Sequence, residues 1–240
     1  MNTPVLELQA EAENWTAEEI LAWAAGQFGS AANLASSFGA EDVVLIDLAS
    51  RIGSPFPIFT LDTDFLFPET YALIDTIQQK YKVIVERLRP KLSPEQQAQR
   101  FGEALWLREP DKCCGIRKVE PLTERLSSGS AWITGIRREQ SSTRANARKL
   151  EWDAKFELVK LNPLAAWSDA EVWTYIRSHN VPYNPLHDRN YPSIGCTHCT
   201  RAVKPGEDAR AGRWSGFAKT ECGLHLDVRL QEIAANQKSS

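Results

Sequence analysis

The segment AANLASSFGAED, residues Ala31 to Asp42, opens as a short buried strand (Ala31 to Ser36), turns through SSFG and leads into a helix. The helix follows because Asp42 to Arg51 carry apolar residues at helical spacing. The same strand–turn–helix unit repeats downstream. Pro57 to Leu61 (PIFTL) reads as a strand, Asp62–Thr63–Asp64 as a polar turn, and Pro68 to Tyr81 as a helix with proline in its first turn. Lys82 to Leu88 and Ala131 to Gly135 are further strands, with helical stretches at Pro94 to Phe101 and from the paired cysteines onward. Phe156 to Lys160 reads as one more strand, and Ser168 to Ser178 as a helix with Ser168 as N-cap. This alternation predicts an α/β fold with a mostly parallel sheet flanked by helices. Ligands of such sheets sit beyond the carboxyl ends of the strands. Three polar loops fall there: Ser36 to Asp42, Asp62 to Phe65 and Ile136 to Arg144.

The second half changes character. Val181 to Tyr191 is a proline- and asparagine-rich loop, and from Arg201 onward Lys, Arg and Gly dominate, with little periodicity before Leu224. No linker or repeat interrupts the chain. The reading is an α/β domain over residues 1–200 followed by a mobile C-terminal segment, 201–240.

Composition excludes several classes. The 240 residues are 42% hydrophobic and 25% charged, which argues against global disorder. A net charge of −3 removes a general case for a nucleic-acid coat or a polybasic membrane anchor. The longest apolar runs, such as Val43 to Leu48, fall far short of the ~20 residues of a membrane span. The acidic N-terminus lacks the pattern of a signal peptide, so a cytoplasmic chain is expected.

Five cysteines is an odd count for a disulfide scaffold. Cys113 and Cys114 are adjacent, Cys196 and Cys199 form C-x-x-C, and Cys222 stands apart. Two close pairs separated in sequence suit a four-thiolate metal site. Adjacent cysteines fit a zinc knuckle poorly, because their side chains diverge, and this favours a 4Fe–4S cluster. A redox disulfide between Cys196 and Cys199 stays open. Cys222 lies in a basic, glycine-containing segment, where Arg210, Arg213 and Lys219 would favour a nucleophilic thiolate and Gly216 and Gly223 would let the segment swing.

The strand-end turn SSFG aims hydroxyls and helix-start amides at an anion, although it is no Walker loop. From Arg108 to Lys149 there are ten basic and five acidic residues, a local net of +5. Arg137, Arg138, Arg144 and Lys118 are candidates to face a phosphate or sulfate. Asp62 is read as a ribose ligand or a helix cap, and Asp64 as the cap of the helix at Pro68.

KCCGIRKVEPL (Lys112 to Leu122), GCTHC (Gly195 to Cys199) and TECGLH (Thr220 to His225), with SSFGAED, LDTD and TGIRREQS in matching order, closely resemble the thioredoxin-dependent adenylyl-sulfate (APS) reductases of the PAPS/APS reductase family. The resemblance covers nearly the whole chain. It implies an adenine-nucleotide α-hydrolase-like (PP-loop-type) fold and reduction of APS to sulfite and AMP in assimilatory sulfate reduction and cysteine biosynthesis. It implies Cys222 as the nucleophile that carries S-sulfocysteine, with thioredoxin or a glutaredoxin-like protein as reductant. It further implies Cys113, Cys114, Cys196 and Cys199 as ligands of a 4Fe–4S cluster that does not carry the electrons. Lys118 matches the lysine that links the cluster environment to the substrate, Arg210 and Arg213 match tail arginines that approach the phosphosulfate, and Ser37, Phe38 and Gly39 match the nucleotide-binding loop, by backbone as much as by side chain. LDTD departs from the family in having Asp64 where many members have glycine. A PAPS-preferring or dual-specificity reductase and a non-catalytic zinc-bearing nucleotide-binding protein are the alternatives; a homo-oligomer is compatible with either.

Overall fold

A computed structural model describes residues 3–217, 219 and 221–224. Helices α1 (Thr3–Ala12) and α2 (Ala17–Phe28) precede β1 (Ala32–Ala35) and α3 (Ala40–Arg51). Then follow β2 (Ile58–Leu61), α4 (Pro68–Tyr81), β3 (Val85–Leu88), α5 (Pro94–Phe101), α6 (Leu105–Arg108) and α7 (Pro110–Cys114). A π-helical turn, Gly115–Val119, joins α7 to α8 (Glu120–Leu126) without a break. The chain continues through β4 (Ala131–Ile133), β5 (Leu150–Asp153), β6 (Leu158–Leu161) and α9 (Asp169–Ser178).

The six strands form one sheet in the order β3-β2-β1-β4-β6-β5, parallel except for the β5 edge. Residues alternate across its faces as the two-residue strand period requires. Ile58, Ile133 and Val159 enter the larger core beside Val43, Leu45, Ile74 and Ile176 of α3, α4 and α9. Phe59, Trp132 and Leu158 face the other way and pack with Leu122 and Leu126 of α8. The order reverses between β1 and β4, so the loops after these two strands diverge and leave a crevice at their carboxyl ends.

The expected α/β architecture holds, with local differences. Lys82 takes a left-handed conformation (φ 56°) at the end of α4, so β3 starts only at Val85. Glu157 is also left-handed (φ 54°), which delays β6 to Leu158 and returns it against β5, an edge strand the sequence reading did not contain. Ser168 caps α9 as expected, in a capping box with Glu171. A second box, Thr16 with Glu19, starts α2, also absent from the sequence reading.

From 201 to 217 the chain is anchored to the domain. Thr200 pairs with Arg213 in an isolated bridge, Val203 N donates to Asn190 O (2.8 Å), and Trp214 N donates to Cys199 O (3.0 Å). His225 and the remainder of the expected mobile segment lie outside the described residues. No helix among the described residues is long and apolar enough to cross a membrane.

Candidate active site

A cleft of about 540 Å³ opens at the carboxyl ends of β1, β2 and β4. Of the sequence-predicted residues, Ser37, Gly39, Lys118, Arg137, Arg210, Arg213 and Cys222 all line it. Arg144, also a sequence-predicted anion candidate, lines it too, as does Glu221; Arg138, expected beside them, does not, because its guanidinium is taken by Glu13 (2.5 Å) and the Ala147 carbonyl (2.8 Å).

The β1–α3 turn is built around Asp42. Its carboxylate accepts Ser37 N (2.5 Å) and Ser37 Oγ (2.8 Å), which ties the turn to the first turn of α3. Burial dominates this carboxyl and raises its pKa to about 6, although the Ser37 hydrogen bonds pull the other way. Phe38 rather than Gly39 takes the left-handed conformation (φ 60°). Its side chain is buried in the main core. The resemblance gives Phe38 a part in the binding loop by backbone as much as by side chain; the side chain lies in the core, and only its neighbours Ser37 and Gly39 line the cleft. Gly135, after β4, comes so close that a Cβ there would collide with the Asp42 carboxylate. Neither Asp42 nor Gly135 was singled out from sequence.

Arg137 reaches the cleft already engaged. It contacts Glu41 (2.8 Å), Asp169 (3.2 Å), Glu139 (3.5 Å) and the Trp167 carbonyl (3.3 Å), so it ties the starts of α3 and α9 to the β4 loop. Asp64 does not cap α4, whose N-cap is Phe67 with no side-chain bond. Asp64 instead accepts from Arg117 Nη1 at 3.1 Å. Asp62 caps nothing at Pro68 either; it is buried and accepts from Tyr71 Oη (2.6 Å).

Cys113, Cys114, Cys196 and Cys199 converge on a second, small cavity walled by Phe65, Trp106, Arg117 and His198. The π-helical turn directly follows Cys113 and Cys114 and itself carries Arg117 and Lys118, so the helical register shifts within the segment that bears all four. Across the cavity, Leu66 bridges Cys196 and Thr197 N donates to Phe65 O (2.8 Å), so the β2–α4 loop carries the C-x-x-C loop. Among the described residues no three His, Cys, Asp or Glu side chains close on a single-ion site.

The donor chemistry fits a thiolate-held metal group. Burial, reinforced by the neighbouring thiols, pushes Cys113 up to about 11 and Cys199 up to about 12, and Cys114 upward as well. Such thiols ionise together only beside a compensating cation, which a bound metal supplies. Gln97 Nε2 donates to Cys113 Sγ (3.8 Å), and Thr63 Oγ1 lies 3.2 Å from Cys196 Sγ. Arg117 is 1% exposed; Nη1 donates to Thr63 O (2.9 Å), while Nε and Nη2 are buried without a hydrogen-bond partner. Its carboxylate partner among the described residues is the part-exposed Asp64, and a buried guanidinium with two unbonded nitrogens beside this cavity suits a net-anionic occupant.

Lys118 and Trp214 line both cavities and so stand between the quartet and the cleft. Burial works against the Lys118 charge, but Cys196, Cys222 and Cys114 outweigh it and hold its pKa above the usual lysine value. Trp214 is buried under two cations, Arg213 (4.5 Å to the ring centroid) and Lys219 (5.3 Å).

The three cations expected to serve Cys222 are largely engaged elsewhere. Arg210 pairs with Glu221 (3.2 Å) and Lys219 with Asp111. Arg213 donates to Ser193 Oγ (3.1 Å) and the Ile194 carbonyl (3.3 Å). A Cβ at Gly195 would collide with that guanidinium, so glycine lets the C-x-x-C loop and the Arg213 segment meet.

Residues 31–202 match the phosphoadenosine phosphosulfate reductase domain. The chain is 51% identical over 212 residues to an adenosine 5'-phosphosulfate reductase of Shouchella clausii, covering 88% of each chain. It is 49% identical over 210 residues to adenosine 5'-phosphosulfate reductase 2 of Bacillus subtilis, covering 87% of this chain and 89% of the relative. Among solved structures it superposes on the phosphoadenylyl-sulfate reductase of Candida auris with a TM-score of 0.74 at 29% identity, covering 84% of this chain and 98% of that one. The FMN adenylyltransferase of Candida glabrata (TM-score 0.57, 15% identity, 97% of this chain and 83% of that one) shares the fold alone. Matched over most of its length and half identical to these relatives, the chain belongs to the phosphoadenosine phosphosulfate reductase domain family.

Proposed function

We propose that this chain reduces adenosine 5'-phosphosulfate to sulfite and AMP in assimilatory sulfate reduction, with a dithiol protein of the thioredoxin or glutaredoxin type as reductant. One observation carries the reading: Cys222, outside the quartet, lines the same cleft as the β1–α3 turn, Lys118, Arg210 and Arg213. Its support is the name shared by relatives near 50% identity.

The chemistry follows from the residues. A thiolate attacking an anionic phosphosulfate meets like-charge repulsion, which Lys118, Arg210 and Arg213 offset. Cys222 Sγ attacks the sulfate sulfur, the bond from that sulfur to the bridging oxygen breaks, and AMP leaves with the electron pair. A clamped phosphate makes AMP a good leaving group. Cys222 then carries an S-sulfo group. One thiolate of the reductant attacks Cys222 Sγ and expels sulfite; the second thiol resolves the mixed disulfide and is oxidised with the first.

Cys113, Cys114, Cys196 and Cys199 would hold a 4Fe–4S cluster, with Thr63, Gln97 and Arg117 around the sulfurs. When bound, the cluster supplies a fixed charged body behind Lys118 and Trp214, while the electrons come from the dithiol. The cytoplasm, where free thiols persist, is the compartment this chemistry suits.

Changing Cys222→Ser is expected to abolish sulfite release while APS still binds. Undiminished activity would overturn the assignment. The name of the Candida auris neighbour supports a second reading, a preference for the 3'-phosphorylated substrate. Comparing kcat/KM for APS and PAPS separates the two.

A further inference from the structure

Glu221 immediately precedes Cys222 and is 6% exposed. Its carboxylate is met by an array of donors. Arg144 grips it with two prongs, Nε to Oε1 (2.9 Å) and Nη2 to Oε2 (2.8 Å). Arg210 Nη2 adds a contact to Oε2 at 3.2 Å, and the hydroxyls of Thr143 and Ser141 donate to Oε1 at 3.2 and 3.4 Å. Burial pushes the carboxyl upward, but these partners, Arg144 foremost, hold it below the usual glutamate range. Arg144 is itself fixed by Gln140 Oε1, which also accepts from Arg137 N (3.1 Å). Arg144, Thr143 and Ser141 belong to the β4–β5 loop, nearly eighty residues from the carboxylate they receive, while Arg210 comes from the same C-terminal segment as Glu221.

Other contacts among the described residues also hold the segment around Cys222, and Leu224 packs against the cluster of Phe59, Leu122 and Trp132. Lys219 pairs with Asp111, which is exposed, and Lys155 Nζ donates to the Gly223 carbonyl (2.6 Å). A pair with an exposed partner adds little, whereas a buried two-pronged guanidinium–carboxylate pair is directional and costly to break.

We propose that Glu221 is the positioning residue of the reaction: its carboxylate docks the Cys222 segment into a receptor made by Arg144, Arg210, Thr143 and Ser141, and so sets Cys222 at the cleft. The kinetic consequence rests on the reading of Cys222 as nucleophile; the docking itself does not. Because Glu221, Arg144 and Arg210 all line the cleft, losing the carboxylate removes a negative charge from it, which favours an anionic substrate.

The test uses the full-length holoprotein and its Glu221→Gln and Glu221→Asp variants. Alkylation of Cys222 by iodoacetamide, a neutral probe, is followed by peptide mapping as a function of pH. The plateau rate above the thiol's titration reports access, while the midpoint reports the local field. E221Q is expected to raise the plateau at least about tenfold, to lower kcat by a similar factor and to leave the KM for substrate unchanged or lower. E221D is expected to recover part of kcat. Should E221Q fail to fold, the pair Ser141→Ala with Thr143→Val removes only the two neutral donors, and roughly a two- to threefold rise in the plateau is expected. An unchanged plateau in whichever variant folds overturns the docking role, and so does a raised KM with kcat intact. If Cys222→Ser kept its activity, the nucleophile reading would fail while the alkylation result would still decide the docking.

Discussion

Asp42 sits where chemistry and stability conflict. Its carboxylate shapes the β1–α3 turn through Ser37, yet it is buried and titrates near 6. A folded-state pKa above the unfolded value means that the folded chain holds the proton more tightly. The associated stability is present below about pH 4 and is lost as pH rises through 6, worth about 3 kcal/mol at 1.36 kcal/mol per unit. Asp42→Asn removes this dependence. Its Tm relative to the parent is expected to climb between pH 4 and pH 7, and a difference that stays flat over that range would contradict the assignment. Phe38 shows the limit of reading residues one at a time. SSFG draws attention to its glycine, but the left-handed residue is Phe38, held by a side chain in the core. Asp64 likewise has a cap's spacing and composition, and a buried arginine 53 residues away claims it instead.

At the scale of elements, the helices with explicit start signals were the legible ones. Pro94 opens α5 and Ser168 caps α9 at the positions their sequences predict, because caps and first-turn prolines are local devices. β5 and α2 escaped, although the Thr16–Glu19 box was available as a signal for α2. Ser168→Ala is expected to cost about 1 kcal/mol. Gly26 lies exposed inside α2, with nothing within 4 Å of an added Cβ, so Gly26→Ala is expected to add roughly 0.5–1 kcal/mol. Thermal unfolding should show opposite shifts in Tm of a few degrees each, with activity unchanged in G26A. The π-helical turn had no sequence signature. It is seen only in the folded chain, where Cys113, Cys114, Arg117 and Lys118 all border the small cavity.

At the scale of the whole molecule, the sheet brings two chemistries within one wall of each other. Four cysteines lie behind Lys118 and Trp214, and the cleft with Cys222 lies in front. Anaerobically purified protein is expected to be brown, with broad visible absorbance; a colourless, zinc-containing protein would remove the cluster from the reading. Removing the metal group leaves the four thiols, of which Cys113, Cys114 and Cys199 have raised pKa values, crowded beside a buried guanidinium. The Tm is therefore expected to fall by at least about 5 °C on loss of colour, since binding free energy here is folding free energy. An unchanged Tm would show that the quartet holds nothing the fold depends on.

The amino-acid sequence alone determined the α/β alternation, the division of five cysteines into four and one, and the order of the loops that meet at the cleft. Those features follow from periodicity and spacing, which are local and survive without knowledge of what packs where. Tertiary structure decided which charges face which. It gave Arg137 to Glu41 and Asp169, Arg117 to the wall of the cysteine cavity, and Arg144 to Glu221. Each of those pairings joins residues far apart in the chain. They come within Coulombic reach only because the sheet order reverses between β1 and β4 and draws the β4–β5 loop, the C-x-x-C loop and the Cys222 segment around a single crevice.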